Sequence, residues 1–155
     1  KLGKEISFPN SMGILIEYPG FLPQYTGFQN LKLIASIKNQ ITDDQIKKSI
    51  ESVGLDPLDK RKYKKYSLGM KQRLGIAQAI MEDPEIVILD EPTNALDEKG
   101  IELVRNLLLN LKQKGKTILI ASHDKEELEK MVDLKYTIEN GKIIKNEIVS
   151  KRVNI

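Results

Sequence analysis

Four short apolar runs punctuate the chain: "MGILIE" (12–17), "EIVILDE" (85–91), "KTILIASH" (116–123) and "LKYTIEN" (134–140). The second and third are continuous β-branched and Leu positions bounded by polar residues. That is the pattern of strands buried on both faces of a parallel sheet. The fourth ends in Asn140-Gly141 and is followed by "KIIKNEIV", which predicts a hairpin, since a tight two-residue turn needs residues that accept positive φ. Between the runs the period becomes helical. Asp97 caps a predicted helix whose Ile101, Val104, Leu108 and Leu111 share one face, with Gly115 as its stop. Asp124 with Glu127 opens a shorter helix through Met131. Alternating strand and helix predicts an α/β fold with right-handed crossovers.

Residues 22–82 read differently, as helices without a convincing strand. Thr26–Gln29 and Thr42–Gln45 are capping-box pairs, each ahead of an apolar pattern: Leu31, Ile34 and Ile37, then Ile46, Ile50 and Val53. The stretch "GLDPLDKRKYKKY" (54–66) reads as a loop. The expected organisation is therefore an α/β body (1–21 and 83–155) interrupted by a helical insert (22–82).

Composition narrows the classes. A chain of 155 residues suits one domain, or one domain with an insert, and 40% apolar with 30% charged residues is ordinary for a soluble protein. A net charge of +3 is too small to indicate nucleic acid or a membrane surface as partner. The absence of cysteine excludes disulfides and thiolate metal sites. No apolar run approaches the ~18 residues of a membrane span, and no secretory signal is present, so the cytoplasm is the expected location. The chain starts at Lys1 rather than Met, which puts its expected true N-terminus upstream.

Three places carry candidate chemistry. In "KKYSLGMKQRLGIAQAI" (64–80), a helix is predicted to begin near Ser67 and Gly69, beside Lys65, Lys71 and Arg73. No acid occurs from Ser67 to Met81. A helix N-terminus is electropositive and normally attracts acidic residues. Leaving this one empty suits either an incoming anion or simply a basic helix start. Asp90 and Glu91 end the second buried run, at the strand edge where open α/β sheets bind ligands. Adjacent carboxylates there call for a cation or a proton nearby. His123, the only histidine, ends the third run at the same predicted edge.

Taken together these residues resemble an ABC-type ATPase. "YSLGMKQR" is similar to the signature motif, "IVILDE" to Walker B, "NALD" to the D-loop and "SHD" to the H-loop, in the family's order and spacing. The resemblance implies a P-loop NTPase (RecA-like) cassette with ATP and Mg²⁺ as ligands. It also implies a dimer in which two cassettes sandwich two ATP molecules head to tail. Asp90 is then implied to hold Mg²⁺ through water, Glu91 to orient or deprotonate the attacking water, and His123 to contact the γ-phosphate. Ser67, Leu68, Gly69 and Met70 are implied to face the partner cassette's γ-phosphate, and Asp97 to link the two sites across the dimer. The anion of the empty helix end would come from that partner.

The chain departs from the family pattern in three respects. The signature Leu-Ser-Gly-Gly-Gln is here Tyr66-Ser67-Leu68-Gly69-Met70. The glutamine that ends the first strand in the family is here Glu17, an alternative hard oxygen donor for Mg²⁺, while Gln24 falls too late to replace it. No G-x-x-x-x-G-K-[ST] loop occurs, so the resemblance implies a cassette lacking Walker A. "LIEYPGFLPQYTGFQNLKL" together with the signature helix is similar to bacitracin- and lantibiotic-type export ATPases. The implied function is the ATP-hydrolysing subunit of such an exporter, cytoplasmic and peripheral on the inner face of the membrane. A transmembrane permease would dock on 17–28, where four of twelve residues are aromatic. Two other readings stand beside it: a soluble ABC ATPase acting on ribosomes or DNA, and a catalytically inert interaction fragment.

Overall fold

Parallel pairing of the first three apolar runs organises the larger of two units in the computed structural model, which describes residues 11–17 and 19–149. The units are Lys1–Ala121 and Ser122–Ile155.

In the first unit, β1 (Met12–Leu15), β2 (Ile86–Asp90) and β3 (Thr117–Ala121) form a sheet in the order β1-β2-β3. Gly13, Val87 and Ile118 share one row of the register, and Leu15, Leu89 and Ile120 another. Leu15, Val87 and Leu89 are all but inaccessible, whereas Ile14 and Leu119, which point to the opposite face, are exposed. The alternation follows from the two-residue period of a strand. The α/β parallel architecture is as the pattern predicts, but burial of β3 on both faces is not: none of its residues is buried. The first run pairs only as far as Leu15, because Glu17 takes a left-handed backbone with φ 57°.

Four helices complete the unit: α1 (Gly27–Lys38), α2 (Asp43–Ser52), α3 (Leu68–Ile80) and α4 (Glu98–Gln113). Thr26 and Thr42 form the two expected capping boxes, and Asp97 accepts a bond from Gly100 N–H to cap α4. The C-terminal part of α3 lies directly on β1. A Cβ on Gly13 would sit 1.7 Å from the Ala79 carbonyl oxygen, so only glycine permits this approach.

The α1 pattern needs correction. Leu31 is buried, but Ile37 is 81% exposed, and Asn30 takes a buried place instead. Its Oδ1 accepts from Leu22 N–H while its Nδ2 donates to the carbonyls of Leu22 and Thr26. Asn30 thus satisfies the backbone that enters the helix, a task no aliphatic side chain can perform. The segment read as a loop also holds a 3₁₀ turn, Tyr63–Lys65. It brings Tyr63 against Phe21, with ring centroids 5.2 Å apart, and against Tyr66 at 5.9 Å. Burial, ahead of the Asp59 charge, holds the Tyr66 phenol above its ordinary pKa.

The second unit contains α5 (Lys125–Glu129), capped by Asp124, and the hairpin of β4 (Leu134–Glu139) with β5 (Lys142–Ile148). Its turn is the predicted Asn140-Gly141, with φ of 48° and 72°.

Candidate functional site

The register fixes where the acids stand. Leu15 pairs with Leu89, so Glu17 and Glu91 each lie two residues past this last pair of neighbouring parallel strands, with Asp90 as the last residue of β2. Three of the six non-glycine residues with positive φ among the described residues fall here or in the loop that follows: Glu17 (57°), Glu91 (46°) and Ala95 (62°). Such backbone is unfavourable for residues with a Cβ and persists only when its surroundings impose it. At Glu91 they do. Its N–H donates to the Ala121 carbonyl at 2.8 Å, and its carbonyl accepts from Asn94 N–H at 3.1 Å. The same carbonyl accepts from Gln72 Nε2, on α3, at 2.9 Å. Pro92 is fully buried behind it.

Glu17 is exposed, while Asp90 and Glu91 are half-buried. Their carboxylate oxygens suit Mg²⁺, a hard cation. Among the described residues no three His, Cys, Asp or Glu groups converge into a ready-made metal nest. One or two carboxylates completed by water and substrate phosphates is the usual Mg²⁺ environment, and these residues fit it.

The start of α3 is built differently. Ser67 is the N-cap, its Oγ accepting from Met70 N–H at 3.2 Å, and the first turn holds no acid. Lys71 N–H bonds the Ser67 carbonyl. The amides of Leu68 and Gly69 are thus the donors left at this helix end among the described residues. Ser67 and Leu68 are exposed; Gly69 and Met70 are half-buried. Gly69 lies close to the loop after β2, where a Cβ would come within 3.0 Å of the Ala95 carbonyl oxygen. Two of the nearby cations have structural work. Arg73 Nη1 donates to the carbonyls of Val53 and Gly54 at the end of α2, and the Lys71 ammonium lies 5.3 Å from the Tyr63 ring centroid.

Asp97 opens α4 at the far end of the same loop, its Oδ1 committed to the cap. His123 belongs to the second unit, in the segment between β3 and α5, where Asp124 N–H donates to Ser122 Oγ. The first unit therefore brings together Glu17, Asp90 and Glu91 at one sheet edge, with Gly69 against the following loop. Gln72 is the residue that sequence reading passed over. Its signal was a polar side chain at 72 on the helix face shared by Gly75, Ile76 and Ala79, all buried.

Comparison with known proteins decides the family. The model of the family described as "ABC transporter" matches residues 3–94, more than half of the chain. The chain belongs to the ABC transporter family.

Among curated ABC relatives, an uncharacterized ABC transporter ATP-binding protein of Bacillus subtilis, YybJ, is 48% identical over 149 residues, 96% of this chain and 68% of the relative. The bacitracin transport ATP-binding protein of Enterococcus faecalis is 40% identical over 143 residues, 92% of this chain and 46% of its own length. A lantibiotic transport ATP-binding protein of Streptococcus pyogenes is 40% identical over 133 residues, 86% of this chain and 58% of the relative. The chain thus spans from about half to two-thirds of these proteins. The fold agrees with a dimeric ATP-binding cassette solved in a post-hydrolysis state with ADP and Pi: TM-score 0.82 at 23% identity, over 91% of this chain and 64% of that one. An ABC cassette is a P-loop NTPase, as the sequence motifs imply. Among the described residues no helix is long and apolar enough to cross a membrane.

Proposed function

We propose that the intact protein is the ATP-hydrolysing subunit of an ABC exporter for peptide antibiotics of the bacitracin or lantibiotic kind. The observation that carries this reading is Glu91. It stands just past the end of a buried parallel strand, in left-handed backbone held from both sides. Relatives named for bacitracin and lantibiotic transport support the substrate class.

In this reading Glu91 orients the attacking water or accepts its proton. Asp90 and Glu17 would hold Mg²⁺, which when bound would supply charge compensation for the nucleotide phosphates. His123 donates to the γ-phosphate oxygen on which charge develops. Ser67, Leu68, Gly69 and Met70 present the α3 N-terminus to ATP held by a second cassette, and Asp97 stands at the seam between the two. The helical part, 22–82, meets the permease, and the cassette works at the inner face of the membrane. Phe21 is 8% exposed and packs on Tyr63, so among the described aromatics of 17–28 Tyr25 and Phe28 are the ones to test. Replacing both with Ala abolishes co-purification with the permease while leaving the melting temperature unchanged; retained co-purification assigns them to packing.

Glu91→Gln in the intact protein tests the reading itself. The substitution keeps size and hydrogen bonding but removes the base. ATP stays bound and single-turnover cleavage falls roughly 10²–10⁴-fold, the range for a general base. Cleavage at the parental rate rejects the assignment.

A further inference from the structure

We propose that Gln72 is a positioning residue for hydrolysis, holding the backbone of Glu91 so that its carboxylate meets the attacking water; this rests on the role given to Glu91 above. Gln72 is 5% exposed on an otherwise apolar helix face. A buried amide is tolerated there only because it is bonded. Its Nε2 donates to the Glu91 carbonyl at 2.9 Å, linking residues 19 positions apart. Together with Asn94 N–H on the same carbonyl and Ala121 on the Glu91 N–H, it fixes the peptide planes on both sides of Glu91. Three bonds around one residue over-determine a φ of 46°, which the chain would otherwise leave. Without Gln72 the Glu91 carbonyl loses its bond from α3, whereas the bond from Asn94 is local to the loop. Gly69 packs the first turn of α3 on that loop as well, against the Ala95 carbonyl. Gln72 therefore ties Glu91 to the helix whose N-terminus, one turn earlier, is offered to the other cassette's phosphate.

The test uses the intact protein with Gln72→Ala and Gln72→Glu. The second keeps the length of the side chain but sets an acceptor against an acceptor. Both lower kcat about 10–100-fold while KM for ATP stays within about threefold, the mark of a group needed in the transition state. Added to Glu91→Gln, Gln72→Ala lowers the residual rate by less than about threefold, because two residues acting as a unit are not additive. In nucleotide-free protein, amide exchange at Asn94 rises about tenfold or more in Gln72→Ala, with exchange at Ile50 in α2 unchanged. The proposal is overturned by equal losses in the two backgrounds, by a change confined to KM, or by unaltered exchange at Asn94. A parental rate in Glu91→Gln alone removes the catalytic part together with the reading it rests on. The Asn94 exchange separates that failure from failure of the clamp, since it needs no turnover.

Discussion

The carboxyl edge of the sheet and the N-terminus of α3 are opposite in charge and in construction. At the sheet edge Glu17, Asp90 and Glu91 gather on neighbouring strands, with left-handed backbone at two of them and hydrogen bonds clamping Glu91. At the helix end there is no acid at all, the backbone is ordinary, and Ser67 with Leu68 is exposed. Other helices of the same unit fill the corresponding place. Thr26 and Thr42 are each answered by a glutamine three residues on, and α2 adds Asp43 and Asp44. In α3 the answering position holds Met70. On the proposed function, the difference separates a group that must be aimed from a field that must be left open. Aiming a carboxylate takes strain and several bonds; receiving an anion takes only unclaimed N–H groups and no competing charge.

The largest way to break the comparison is to lift α3 from the sheet, since the helix serves both regions. In Gly13→Ala the new Cβ, 1.7 Å from the Ala79 carbonyl oxygen, forces α3 off β1. The expected loss is about 3 kcal/mol or more, at the upper end for overpacking, read from the denaturation midpoint of the intact protein. An unchanged midpoint would mean that the helix does not pack there.

A subtler change sharpens it. Met70→Glu completes the capping box begun by Ser67 and adds a negative charge to an electropositive turn, so the fold gains about 0.3–1 kcal/mol. On the proposed function, the same charge repels the phosphate of ATP held by the other cassette. ATP hydrolysis falls roughly tenfold, for which about 1.4 kcal/mol of repulsion suffices. Met70→Gln completes the box without the charge and keeps its activity. A Met70→Glu protein that is both more stable and fully active would show that the helix end meets no anion.

Elements whose cause is local were readable in the sequence. The capping residues Thr26, Thr42, Ser67, Asp97 and Asp124 all accept a bond from the amide three residues on, and Asn140-Gly141 makes its turn. Strands β2 and β3 also fall where their apolar runs lie, although β3 lacks the burial on both faces that its run predicts. What escaped were polar side chains whose partners are remote backbone. Asn30 displaced Ile37 from the inward role because the chain entering α1 needed its carbonyls and N–H satisfied. Gln72 and Arg73 likewise serve carbonyls 19 or 20 positions away, and no periodicity encodes that distance. The three candidate acids were legible because strand ends in a parallel sheet share an edge. The left-handed backbone at Glu91 was not, because Ala121 and Gln72, which bond it, are remote in sequence and meet it only in the folded sheet.

On the proposed function, these residues act on a phosphate that they do not themselves bind tightly. Asp90 and Glu91 are acidic and repel a nucleotide's phosphates unless a glycine-rich, lysine-bearing loop holds them, and the 155 residues contain no such motif. Calorimetric titration of Mg-ATP into the chain of residues 1–155 measures this directly. No saturable binding is expected up to about 100 μM, equivalent to less than about 5.5 kcal/mol. Binding at micromolar affinity would contradict it.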